Sequence, residues 1–168
     1  KKPMKILLVL PAIGDNNFIQ KLSFLRHNIR IILNTAPSNA VFQMFITCYR
    51  LSKIQLPVTI MIGDPPVMTQ ATQEINPGLL IRRTILEAIS DLPNKGVLQS
   101  HNIKIKLARG FLGQFLFNFV KPDNYDNVDY VYLFLDDIRL TENFKLDLLQ
   151  EIYSLSGLDI ISPSLTHD

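Results

Sequence analysis

The chain has one cysteine, few glycines and no tryptophan among its 168 residues. A single thiol, Cys48, excludes an internal disulfide and a cysteine-built zinc site, so Cys48 is read as a core side chain of a protein that needs no covalent staple and suits a reducing compartment. An excess of one charge is also missing. Seventeen lysines and arginines face 15 acids, for a formal net charge of +2, which gives no polyelectrolyte signature and no reason to expect nucleic acid as a partner. An anionic small ligand would need only a local cluster of donors. No apolar run reaches the roughly 20 residues that span a bilayer. The opening KKPMKILLVLPAIG has the basic start and short apolar stretch of a signal peptide. Asp15, Asn16 and Asn17 follow where a small-residue cleavage site would stand, so the stretch is read as a first strand, a reading that leaves room for a membrane anchor upstream of Lys1. GxGxxG, GxxxxGK[ST], HExxH and GxSxG are absent as well. Rossmann dehydrogenase, P-loop, zincin and α/β-hydrolase chemistries therefore lack their defining parts.

At 47% hydrophobic and 19% charged residues, the chain can fill one core and is too short for two comfortable domains. Ile6 to Leu10 is continuously apolar, the pattern of a strand buried on both faces. Phe18, Leu22, Leu25, Ile29 and Ile32 then recur at helical spacing, predicting a helix over Phe18 to Leu33. Val41 to Tyr49 and Val58 to Ile62 read as strands, the second closed by the loop GDPP. Thr69 to Asn76 is polar, and a helix is expected over Leu79 to Ile89. Ile103 to Leu107 alternates lysine with apolar residues, as a half-exposed or edge strand does. GFLGQFLFNFV, residues 110–120, is read as a helix, Tyr130 to Leu135 as a second buried strand, Phe144 to Leu155 as a helix with Phe144, Leu148, Leu149 and Ile152 on one side, and Leu158 to Ile161 as a last strand. Strands alternating with helices predict a single α/β domain, residues 1–168, with a mainly parallel sheet flanked by helices.

In such sheets ligands collect beyond the carboxyl ends of the strands. The exit that stands out is YVYLFLDDI, where an apolar run stops at Asp136 and Asp137. Adjacent carboxylates repel each other and resist leaving water, so a cation or hydrogen-bond donors must compensate them. A hard divalent ion, Mn2+ or Mg2+, held by one or two carboxylates with water and phosphate oxygens, does so. The plainer reading has the pair start a turn and cap a helix beginning near Thr141, and the local pattern alone leaves the two even.

The segment YVYLFLDDI resembles the strand and acidic motif of GT-A glycosyltransferases, in which an Asp-x-Asp signature binds a nucleotide-sugar diphosphate through a divalent metal. KIKLARGFLGQFLFNFVKPDNYDNVDY upstream and LTENFKLDLLQEIYSLSGLDIISPSLTHD downstream resemble one branch of that superfamily, so the likeness covers residues from about Ile103 onward. In the amino-terminal half only the strand-helix order agrees. A strict Asp-x-Asp would need an acid at position 135 or 138, which are Leu135 and Ile138. Either Asp136 and Asp137 act together on the metal, or Asp137 reaches it while Asp136 holds a sugar or ribose hydroxyl. The resemblance implies a GT-A-like, Rossmann-related domain that moves a sugar from a nucleoside-diphosphate donor, a uridine one, to a hydroxyl of a glycan or protein-linked acceptor.

Other strand exits join the site on this reading. Pro11, Ala12 and Ile13 would cradle base and ribose or form an ordinary βα loop. Asp64 in GDPP would meet the base or merely hold its turn, the turn being favoured, and Arg109 beside Gly110 would hold the diphosphate or be a solvated surface cation. His167 and Asp168 fall where the resembling enzymes begin their acceptor side, and so join Asp136 as catalytic candidates. His27 and His101 have no metal partner nearby and read as structural or surface residues. Only 31 residues follow Asp137, where the family carries an acceptor segment, so the chain is expected to be a trimmed part of a longer protein or a small enzyme. Its Asn/Ile/Lys-rich character suits a cytosolic enzyme, of the kind with which a large DNA virus would glycosylate its capsid. Two rival classes stand beside this reading. One is a metal-dependent nucleotidyl or phosphoryl transferase using the same aspartates, and the other a non-catalytic α/β binding module in which they only shape a turn.

Overall fold

The computed structural model describes residues 2–14, 17–93, 97–110, 113–114 and 127–164. Along these run β1 (Met4–Ile13), α1 (Phe18–Asn34), β2 (Ala40–Cys48), β3 (Ile54–Ile62), β4 (Val67–Ile75), α2 (Pro77–Ile89), β5 (Ile103–Leu107), β6 (Tyr130–Leu133) and α3 (Leu146–Ser156). β1, β2, β5 and β6 form one parallel sheet in the order β5-β2-β1-β6, and β3 and β4 form a separate antiparallel pair. The fold is α/β, with a parallel sheet flanked by helices.

β1 lies between two neighbours, which is why its sequence is apolar without interruption. Ile6 through Leu10 are at most 5% exposed. On one face Ile6, Leu8 and Leu10 stand level with Phe42, Met44 and Ile46 of β2. They share a core with Leu22, Leu25 and Ile29 of α1 and Ile81, Ile85 and Ala88 of α2. Each of the larger of these side chains taken from water contributes about 1.5–3 kcal/mol. Cys48 belongs to the same core, fully buried. Leu7 and Val9 point to the other face and are buried outside that cluster. The start of α2 falls at Pro77 rather than Leu79, because the Asn76 side chain accepts the Gly78 N–H at 2.8 Å and proline occupies the first helical turn, where no amide hydrogen is needed.

Four expectations are corrected. The run at Val58 is part of a longer strand, and the polar stretch after GDPP is its partner, so the two make a hairpin outside the main sheet. The residues from Leu158 to Ile161 form no strand. β6 is shorter than expected and is an edge strand, with Tyr130 and Tyr132 turned to the core while Val131 and Leu133 are 43% and 54% exposed. In α3 the covered side chains are Leu146 and Gln150, whereas Leu148 and Ile152 are each 51% exposed. The Tyr132 hydroxyl donates to Gln150 Oε1 at 2.5 Å and fixes that rotation. Most of the helix expected over residues 110–120 lies outside the described residues. Among the described strands β5 stands at an edge, one of the two readings its alternating lysines allowed. Among the described residues no helix is long and apolar enough to cross a membrane.

Candidate functional site

The chain steps outward from β1 to β2 to β5, then returns to the opposite side of β1 with β6. Where strand order reverses, the connections leave in opposite directions and a crevice opens beyond the carboxyl ends of the two strands. Here that crevice lies between the exits of β1 and β6. The Phe134 N–H donates to the Val9 carbonyl at 3.1 Å and prolongs the pairing to the edge of the acidic turn. Asp136 and Asp137 form that turn.

The two carboxylates have different surroundings. Asp136 is turned toward α1, its side chain 13% exposed, and Lys21 Nζ lies 2.8 Å from its Oδ2. That ammonium compensates the buried Oδ2, which has no other partner among the described residues. Asp137 is exposed and makes no ion pair or hydrogen bond among the described residues. α3 starts nine positions beyond Asp137, at Leu146, so the pair shapes a turn and caps no helix there.

Helix α1 holds this turn in place. Buried Asn28 donates from Nδ2 to the Ile138 carbonyl at 2.7 Å and accepts the Leu140 N–H at 2.9 Å. His27 Nε2 lies 2.7 Å from the Leu140 carbonyl, a structural role as expected from its isolation in sequence. At its start α1 has Asn17 in the left-handed region, at φ 54°, with no side-chain cap. The uncapped first turn is lined by Arg50 and Ile54 in a cleft of about 380 Å3. Arg50 lies over the Phe18 ring, 5.8 Å from guanidinium carbon to ring centre. A helix start beside a guanidinium favours an anion. At the exit of β2 the Thr47 Oγ1 and the Tyr49 hydroxyl are buried without hydrogen-bond partners among the described residues, and burial pushes the Tyr49 pKa above its ordinary value.

The backbone of Pro11, Ala12 and Ile13 forms the exit of β1, beside the crevice. Arg109 does not join it. It is exposed at the exit of β5, three strand spacings from β6, or about 14 Å of sheet width. Asp64 sits at the tip of the β3–β4 hairpin, outside the parallel sheet, where residues 59–70 are all exposed. His167 and Asp168 are outside the described residues. Lys21, Arg50, Thr47 and Tyr49 escaped the sequence reading. The one signal for Lys21 was its place three residues after the first apolar position of α1, on the turn facing the strand exits.

No group of three or more His, Cys, Asp or Glu side chains gathers among the described residues. A hard divalent ion held by one carboxylate, water and a diphosphate needs no such group, and unpartnered Asp137 fits that role. Asp136 as a second ligand would have to give up Lys21. No family model matches the chain, no curated protein matches it, and no solved structure matches it.

Proposed function

We propose that this domain is a GT-A-like glycosyltransferase that moves a sugar from a nucleoside-diphosphate donor, a uridine one, to a hydroxyl of a glycan or protein-linked acceptor. The observation that carries the reading is Asp136. Its carboxylate is nearly buried at the reversal of strand order and balanced by Lys21, and its two oxygens carry more lone pairs than that one ammonium occupies. That is the chemistry needed to hold a sugar or ribose hydroxyl.

The diphosphate lies across the start of α1, where the first-turn N–H groups and Arg50 compensate its charge. Lys21 adds a fixed cation at the crevice, and the Thr47 and Tyr49 hydroxyls offer donors at the neighbouring strand exit. Asp137 would hold Mn2+ or Mg2+, which when bound would neutralise charge on the departing diphosphate. Asp136 fixes the donor through a hydroxyl, and a base on the acceptor side takes the acceptor proton.

The test is thermal shift and hydrolysis of nucleotide sugars, with and without manganese. Uridine diphosphate with manganese raises the melting temperature by mass action, and Asp137→Asn abolishes both the metal-dependent shift and turnover while the fold survives. Equal shifts from adenosine and uridine nucleotides count against a uridine donor. Turnover of nucleoside triphosphates without nucleotide sugars would move the assignment to a phosphoryl or nucleotidyl transferase.

A further inference from the structure

Lys21 stands in the first turn of α1, where its N–H donates to the Asn17 carbonyl at 2.9 Å. Its side chain runs from there to the acidic turn beyond β6 and ends 2.8 Å from Asp136 Oδ2. One residue is thus rooted at the helix start and closes its tip on the carboxylate. Among the described residues neither Lys21 nor Asp136 has another ion pair or side-chain hydrogen bond.

The other charges near this contact leave it alone. Asp137 is exposed and unpaired. Arg139, the nearest other cation in sequence, is also exposed and forms no ion pair among the described residues. Arg50 lies over the Phe18 ring. Lys21 is therefore the one described cation in contact with the doublet. It cancels the charge of Asp136 and leaves that of Asp137 open to solvent.

The two paired side chains are only 20% and 13% exposed. Water screens charges poorly at that depth, so a dication drawn to Asp136 meets an ammonium at close range and is repelled. A diphosphate at the start of α1 reverses the balance. It offers Lys21 several charged acceptors beside the helix turn that anchors its stem. The flexible four-carbon chain turns to them without any change in the helix.

We propose that Lys21 is a positioning residue that couples metal to diphosphate. In the empty crevice it occupies Asp136 and holds the affinity for a lone divalent ion low. A diphosphate draws the ammonium to itself and returns the full charge of the acidic pair to the metal. This rests on the donor reading above and adds an order to it: anion and metal enter together, each raising the affinity for the other by the same factor. A metal that bridged the diphosphate to Asp137 would produce some coupling by itself, and Lys21 adds to it.

Calorimetric titration of the full chain tests this, with Mn2+ alone, with uridine diphosphate alone, and with each in the presence of the other. The parent binds Mn2+ weakly and gains about tenfold or more in Mn2+ affinity once the nucleotide is bound. Lys21→Gln, with no charge to set against the metal, binds Mn2+ alone about tenfold more tightly, and the nucleotide then raises that affinity less than in the parent. Adding Asp136→Asn to Lys21→Gln returns the weak binding. An ion pair that served folding alone would move the melting temperature and leave these affinities unchanged. The parent supplies a second measurement that needs no variant. Its Lys21 Nζ resonance shifts when uridine diphosphate is added without metal, and far less when Mg2+ is added without nucleotide. The proposal is overturned, with the donor reading intact, if the parent binds Mn2+ alone as tightly as Lys21→Gln, if the gain survives Asp136→Asn, or if the nucleotide leaves the ammonium unmoved. A parent that binds neither uridine diphosphate nor Mn2+, even when both are present, overturns the two together.

Discussion

Lys21 and Asp136 are partners because their side chains are 20% and 13% exposed, which makes each costly without the other. Lys21→Met leaves a nearly buried carboxylate uncompensated and should lower stability by about 1–3 kcal/mol, read from urea midpoints. The double variant Lys21→Met with Asp136→Asn should recover part of that loss, because the remaining amide carries no charge. A loss that is merely additive would show that the two are not coupled. Tyr132 supplies a pH signature. Burial first, then the neighbouring Tyr130 and Tyr153, push its pKa from 10.0 to about 12. The folded state thus holds the phenolic proton more tightly than the unfolded chain. The resulting stability is fully present below pH 10 and is lost as pH rises toward 12. Melting temperature followed across that window should fall less steeply in Tyr132→Phe than in the parent. At this scale the acidic doublet was legible in the sequence, since two carboxylates after an apolar run need a reason. Lys21 was not, because its role exists only once α1 lies against the exit of β6.

Among the elements, α1 does most to shape the crevice. Its inner face packs into the core, Asn28 and His27 hold residues 138–140, and Thr35 at its end serves α3. The Thr35 hydroxyl accepts the Leu146 N–H at 2.9 Å and its carbonyl accepts the Asp147 N–H at 3.0 Å. α3 therefore starts without a cap of its own, and Gly157 in the left-handed region, at φ 67°, ends it. Asn28→Ala should cost about 2–3 kcal/mol in urea unfolding, since it strands two backbone groups beside a buried site. Ligand affinity should fall with it as the acidic turn loses its support. Thr35→Ala should cost about 1 kcal/mol and leave the site intact. Equal effects on ligand binding from both substitutions would contradict this division. Periodicity found α1, β1 and β2 because each packs by its own pattern. β4 went unread because a threonine- and glutamine-rich strand shows its apolar side only against β3. α3 was read with the wrong face inward, because a polar Gln150 held by Tyr132 decided its rotation over the leucines.

For the whole molecule, the strand order placed the crevice where an α/β reading looks for it, between β1 and a strand from the far end of the sequence. Two expected contributors stand elsewhere, Arg109 across the sheet and Asp64 on the hairpin. Sequence could name strand exits but not their order, and neighbours in a parallel sheet are fixed by crossovers rather than by local pattern.

The pairing of β1 with β6 also bears on the order in which the molecule is made. The Lys5 N–H donates to the Asp129 side chain across 124 positions, and loop closure over such a span is slow compared with forming α1 beside β1 and β2. The acidic turn is then among the last parts to settle, on a framework already assembled from the first half of the chain. In pulse-labelled refolding, protection at Phe134 should lag behind that of β1 and α1. Protection arriving at the same time everywhere would contradict this order. A nascent chain released before Tyr130 would carry an unpaired β1 edge, and β6 would both complete the crevice and close that edge to aggregation.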